Sequence, residues 1–343
     1  MVPQNPLYKR LWLASQPQPH QRVPRAIGPW RGAGQRPAPI ALRCRCALVL
    51  AAIAGSALLP LSGAAAERPG PHATPEQRGE YVFHLTGGCG CHTDYKNKGA
   101  FLAGGRAIKT PFGVIYGTNI TPDRDTGLGT WSEEDFVRAM TQGVRKDGQD
   151  LYPVFPYTSF TRMTPADLKD LWAYLKTVPA VKQENRPADL SPPFGMRLAI
   201  GGWKALFFTP APFQPDPAAS AEVNRGAYIV QALAHCAECH TPRNAMGALK
   251  ADMAFAGSTD GPEGQLAPNV TPEKVTGIGA WSVVDTVYFF QTGDTPDGDF
   301  AEGLMSEVIE HGYAKTSEDD LKAVAVYLKT LKPIVHKLEK KKK

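Results

Sequence analysis

The chain carries one long stretch twice. Asn119 to Gly143 reads NITPDRDTGLGTWSEEDFVRAMTQG, and Asn269 to Gly293 reads NVTPEKVTGIGAWSVVDTVYFFQTG. The offset is 150 without a gap, and eleven of 25 positions are identical. Upstream, Arg78-Gly79-Glu80-Tyr81 matches Arg225-Gly226-Ala227-Tyr228; downstream, Thr164 to Lys176 matches Ser317 to Lys329. A period this long, present only twice, predicts a duplicated domain rather than a solenoid. Residues 182–221, between the copies, are Pro-rich with an apolar middle from Trp203 to Phe208, which predicts a linker that packs on both.

Each copy contains three helical signals. The first begins near Arg78 or Arg225. The second opens at Ser132 or Ser282 with Asp135 or Asp285 three residues on, a carboxylate version of the capping box. The third opens at Thr164 or Ser317. Leu168, Leu171, Trp172 and Leu175 then recur at helical spacing, as do Leu321, Val324, Ala325 and Leu328. Strand signals are weak and short. Each copy is therefore a small, mostly α unit with much loop, and three helices with that much loop make a thin core that calls for something else at its centre.

The formal charge of +5 hides an asymmetry. Residues 1–66 carry eight basic residues and no acid, leaving 30 basic and 33 acidic residues in the remainder. No nucleic-acid surface is implied there. The basic segment leads into an apolar run from Ala47 to Leu61 and then Ala64-Ala65-Ala66, the layout of a secretory signal peptide over 1–66. The run is short for a membrane span, which needs about twenty apolar residues. The expectation is an exported, periplasmic protein, with an uncleaved N-terminal anchor as the alternative.

Removing 1–66 takes Cys44 and Cys46 with it and leaves two close pairs, Cys89/Cys91 and Cys236/Cys239, each followed at once by a histidine. Disulfides would suit an oxidising compartment but would not explain the recurring histidine. Cys236-Ala237-Glu238-Cys239-His240 is C-x-x-C-H, the attachment signature of c-type haem. Two thiols on one helical turn reach the two vinyl groups, and the next residue places an imidazole under the iron. A zinc site would need two further ligands at short spacing. In the first copy, Gly88-Cys89-Gly90-Cys91-His92 has only one residue between its cysteines. The flanks still match, so a haem is expected there too, with Cys91 the better attachment point; a site that has lost its haem, or a dithiol, is the alternative.

An iron held by His92 or His240 needs a sixth ligand, and its identity separates a closed electron carrier from an open, reactive site. Met305 is the candidate in the second copy, in Gly303-Leu304-Met305 before the last helix, where a loop is expected to fold over the haem; His311 is its competitor. In the first copy Met140 reads as core, and Met163, just before the third helix, is the choice over an open site or Tyr or His ligation.

Several stretches together carry a resemblance: RGxY before each cysteine pair, Thr110 to Gly113 (TPFG), NITPD, GxGxWS, Tyr152 to Phe160 (YPVFPYTSF), VNRGAY and His235 to Asn244 (HCAECHTPRN). Over residues 75–335 the chain resembles the diheme c-type cytochromes that serve as electron-transfer subunits of periplasmic dehydrogenases, of the alcohol, gluconate, aldehyde and nicotinate types. The resemblance implies two tandem class I cytochrome c domains, over 67–181 and 222–335, joined by the 182–221 linker and followed by a basic tail over 336–343. It implies two covalent haems c, His92 and His240 as proximal ligands and Met305 as the distal ligand of the second. Phe155 stands where some relatives of this type carry Met. The implied partners are a dehydrogenase catalytic subunit and a downstream cytochrome, or a quinone or oxidase acceptor, in a complex associated with the membrane through its partner. A diheme enzyme of peroxidase or thiosulfate dehydrogenase type is the competing function. The absence of a further cysteine after residue 66 counts against the latter.

Overall fold

The structure, a computed structural model, describes residues 67–339. The expected signal peptide, and Lys340 to Lys343 of the basic tail, lie outside the described residues. Among the described residues, eight helices of two turns or more organise the fold: α1 (Pro75–Leu85), α2 (Glu133–Gln142), α3 (Pro165–Leu175), α4 (Arg197–Phe207), α5 (Ala221–Tyr228), α6 (Val283–Thr292), α7 (Gly303–His311) and α8 (Glu318–Thr330). Shorter turns fill the loops between them, so the chain is mostly helical. No helix among the described residues is long and apolar enough to cross a membrane.

The helix starts follow local chemistry. Ser132 and Ser282 accept from the backbone N–H of Asp135 and Asp285, whose carboxylates accept in return from the cap N–H groups. Thr164 and Ser317 cap α3 and α8. Helix α1 begins three residues before Arg78, because Thr74 forms a capping box with Gln77 and Pro75 takes the first helical position. Ser220 sets the start of α5 in the same way. After Tyr228 that helix widens into a π-helical stretch to Leu233, with Ala234 N–H donating to Ile229 O at 2.7 Å.

Helix α1 packs on α3, and α5 on α8. Glycine allows both crossings. A Cβ on Gly79 would sit 1.9 Å from Asp170 O, and one on Gly226 would sit 1.9 Å from Ala323 O. The stripes Leu168, Leu171, Trp172, Leu175 and Leu321, Val324, Ala325, Leu328 face inward and are buried. Each crossing carries a two-pronged ion pair: Arg78 to Asp170 at 2.6 and 2.8 Å, and Arg225 to Asp320 at 2.9 and 2.7 Å.

The two repeats also exchange contacts. Tyr81, on α1, donates its hydroxyl to Asp320 Oδ2 at 2.8 Å and accepts from Ser317 N–H at 3.1 Å, both at the start of α8. Tyr228, on α5, bonds Asp167 and accepts from Thr164 N–H at 3.0 Å, both at the start of α3.

Three short antiparallel strands, β1 (Ala107–Thr110), β2 (Gly113–Tyr116) and β3 (Asp189–Leu190), form a sheet in that order. Strand β3 comes from the segment between the repeats. Helix α4 in the same segment pins Lys204 to Asp150 of the first repeat, while Trp203 Nε1 donates to Met246 O of the second at 2.9 Å.

Candidate haem sites

Both histidines that follow the cysteine pairs are held alike. His92 Nδ1 donates to Thr118 O and His240 Nδ1 to Pro268 O, each at 2.7 Å. The carbonyls of His92 and His240 accept from Gly104 and Gly257 N–H at 2.8 and 2.7 Å. Burial keeps both imidazoles below the usual histidine pKa, so each is neutral near pH 7. With Nδ1 carrying the proton, the Nε2 lone pair is available to a metal. The residue just before each repeated Asn-x-Thr-Pro stretch supplies the carbonyl. Asn119 and Asn269 accept from Thr121 and Thr271, N–H and hydroxyl both, and donate to Val181 O and Ile334 O at 2.7 and 2.8 Å. That ties the loop under each histidine to the chain that follows α3 or α8.

The cysteines differ between repeats. Ala237–His240 is one helical turn, with His240 N–H donating to Cys236 O. In the first repeat the turn tightens to a 3-10 turn over Gly90–His92, and His92 N–H donates to Cys89 O. The missing residue is absorbed at Cys89, whose φ of 48° is left-handed; in the second repeat the left-handed residue is His235, before the pair. Gly117 lies against the tightened turn, where a Cβ would meet Cys91 O at 1.9 Å. Cys89 and Cys236 pack against the core, whereas Cys91 is exposed. None of the four is in a disulfide. Burial pushes the Cys89 thiol up to about 11 and the Cys236 and Cys239 thiols to about 12. They are protonated near neutrality, which disfavours a thiolate metal site or a reactive dithiol.

An apolar cavity beside Cys236 is bounded by Ile229, Phe290, Tyr313, Leu321 and Val324. One thiol a helical turn before a neutral, oriented imidazole and a second thiol next to it are the donor set that fits haem c in the second repeat. The first repeat has the same imidazole geometry with altered thiol spacing.

The two candidate distal methionines sit differently. Met305 is half-buried against the core on α7, within a helix and not the loop the sequence suggests. Met305, Val308 and Ile309 give that helix an inward face, which its polar flanks mask. His311 stacks on Tyr95 of the first repeat with ring centroids 4.1 Å apart. Met163 is buried in the core at 3% exposure. Trp281 packs edge-on against Phe289, and Trp131 lies against the core.

Sequence reasoning missed Arg106 and Glu238 beside the motifs. Arg106 is buried among Glu263 and Glu307. Glu238 accepts from Arg243 at 2.6 Å and from Thr158 Oγ1 of the first repeat at 2.6 Å. Glu238 stands inside the motif and could have been noticed; Arg106 has no arginine opposite it in the second repeat and gave no signal.

The chain has relatives among known proteins. A nicotinate dehydrogenase subunit of Pseudomonas putida is 41% identical over 262 residues, which cover 74% of this chain and 21% of that protein. The fructose dehydrogenase cytochrome subunit of Gluconobacter japonicus is 39% identical over 262 residues, 76% of this chain and 53% of its own length. A protein named diheme cytochrome c-type from Cereibacter sphaeroides is 37% identical over 294 residues, 84% of this chain and 97% of its own. No protein-family model matches the chain. The protein is a c-type cytochrome. It belongs to the family of diheme cytochromes c, with relatives among the cytochrome subunits of alcohol, fructose and gluconate dehydrogenases and a nicotinate dehydrogenase subunit. Membership implies haem c. The chain spans only a fifth of the nicotinate dehydrogenase subunit and about half of the fructose dehydrogenase subunit.

Proposed function

We propose that this chain is a periplasmic diheme cytochrome c that passes electrons from a dehydrogenase catalytic subunit to a downstream cytochrome, quinone or oxidase. The reading divides it into two tandem class I cytochrome c domains, 67–181 and 222–335, with 182–221 as the linker. Haem c would be held by Cys236, Cys239 and His240 in the second domain and by His92 with Cys91, or both Cys89 and Cys91, in the first. Bound haem supplies a reversible one-electron centre. The chain's own residues orient the imidazoles, exclude water and keep the two sites together.

One observation carries this reading: the same imidazole geometry, Nδ1 to a backbone carbonyl at 2.7 Å, is built twice within repeats that exchange contacts. Met305 is the preferred sixth ligand of the second haem because His311 is engaged with Tyr95. Met163 is the candidate for the first.

Intact-mass measurement and potentiometric titration of the exported holoprotein test the function. Two haems per chain and two one-electron steps are expected, with both haems reduced when the dehydrogenase partner and its substrate are supplied. One haem or none would reject the diheme relay. Turnover of peroxide without a partner would mark an enzyme instead.

A further inference from the structure

In each motif the carbonyl of a residue between the cysteines accepts from an arginine, but the two arginines are braced differently. Arg243 Nη2 donates to Glu238 O at 3.0 Å and to the same residue's Oε2 at 2.6 Å. Arg106 Nη1 donates to Gly90 O at 3.3 Å. Gly90 has no side chain to answer the charge, and Arg106 is only 3% exposed. Its partners come from the second repeat. Arg106 Nε donates to Glu263 Oε1 at 2.9 Å, and Nη1 and Nη2 reach Glu307. Lys96 pairs with Glu263 from the outer side. Two residues past Gly104 stands Arg106; two past Gly257, which bonds the His240 carbonyl as Gly104 bonds that of His92, stands Thr259. The clamp therefore belongs to the first site alone.

The shortened turn needs such a clamp. Gly87 and Gly88 lead into the turn at positive φ, which glycine adopts freely, but Cys89 follows at φ 48°, which is costly for a residue with a side chain, so the turn is held against its own backbone preference. A buried guanidinium is held in place by its carboxylates, and losing one partner leaves an uncompensated charge. In a weakly screened site such charges act on a neighbouring redox centre.

We propose that Arg106 is a positioning residue of the first haem site, fixing the Cys89–Cys91 turn from the second repeat and setting that haem's potential through Glu263 and Glu307. This rests on the diheme reading above. Ferric iron carries one more positive charge than ferrous. Removing the Arg106 charge therefore favours the ferric state and lowers the potential, and removing a carboxylate raises it.

Potentiometric titration of the holoprotein tests this, with intact mass confirming the haem count in each variant. Met305→Ala first labels the midpoint that belongs to the second haem. Arg106→Gln is expected to lower the other midpoint, and Glu263→Gln to raise that same one. Arg106→Lys, which keeps the charge, is expected to restore most of the potential. Loss of the first haem alone in Arg106→Gln would also support the positioning role. Shifts in the same direction for Arg106→Gln and Glu263→Gln, no shift in either, or an equal shift in both haems would overturn it. A wild-type protein with a single haem would instead reject the diheme reading on which it stands.

Discussion

The Tyr81 hydroxyl lies 2.8 Å from Oδ2 of Asp320, a wholly buried carboxylate in the other repeat. Tyr228 makes the converse contact with Asp167. A hydrogen bond to a buried charge is worth about 1.5–3 kcal/mol. Tyr81→Phe should lower the unfolding free energy by that amount in urea titrations. Tyr228→Phe should cost less, because Asp167 is only half-buried. A Tyr81→Phe protein as stable as the parent would show that the contact does not hold the repeats together.

Asp320 also predicts an acid response. Burial alone would raise its pKa, but the Arg225 ion pair and the Tyr81 hydrogen bond bring it below the usual carboxylate value. Its stabilisation is complete above the unfolded carboxylate pKa of about 3.9 and is lost as pH falls from there through the depressed native value. Asp320→Asn should be less stable near pH 7 and should lose less on further acidification. Urea midpoints measured across that range would show parallel acid limbs if the assignment is wrong.

The helix crossings set a contrast between glycines. Gly79→Ala or Gly226→Ala forces a methyl into a backbone carbonyl, and overpacking of this kind costs about 1–3 kcal/mol or more. Gly202, inside α4, has nothing within 4 Å of its added Cβ. Gly202→Ala should stabilise by about 0.5–1 kcal/mol. Thermal melts should therefore fall for the first two variants and rise for the third.

On the haem reading, the first site should attach through a single thioether at Cys91. Successive helical residues are rotated by about 100°, so deleting one between the thiols turns them away from a shared pair of vinyl groups. Acid–acetone extraction of Cys91→Ala should release that haem, while Cys89→Ala retains it. The reverse pattern would assign the bond to Cys89.

Met305→Ala should abolish the Met-to-iron charge-transfer band of the second haem and lower its potential, since a thioether favours the reduced state. An unchanged potential would pass the ligand role to another side chain.

The repeat, the six helix starts marked by Ser, Thr or Arg, and both apolar stripes were legible because each rests on local spacing. Two starts shifted by three or four residues, since Thr74 and Ser220 cap ahead of the matched RGxY segment. The cysteine–histidine motifs were legible for the same local reason. What surrounds them was not. Arg106 finds its carboxylates 157 and 201 residues away, and a charge-compensated burial at that separation leaves no pattern in a single sequence. Helix α7 was hidden because Gly303 and Glu302 read as loop, and only packing against the core orders the apolar residues behind them.

The tyrosine exchange has the form of an isologous interface, in which a residue of one half meets a second residue of the other and the reverse contact is made as well. Two identical chains carrying a single repeat can form such an interface with each other. Tethering the halves through residues 182–221 replaces a dilution-sensitive association with an intramolecular one at high effective concentration. Once tethered, the halves were free to diverge. Thr259 opposite Arg106, and a four-residue motif opposite a five-residue one, record that the two no longer have to be the same.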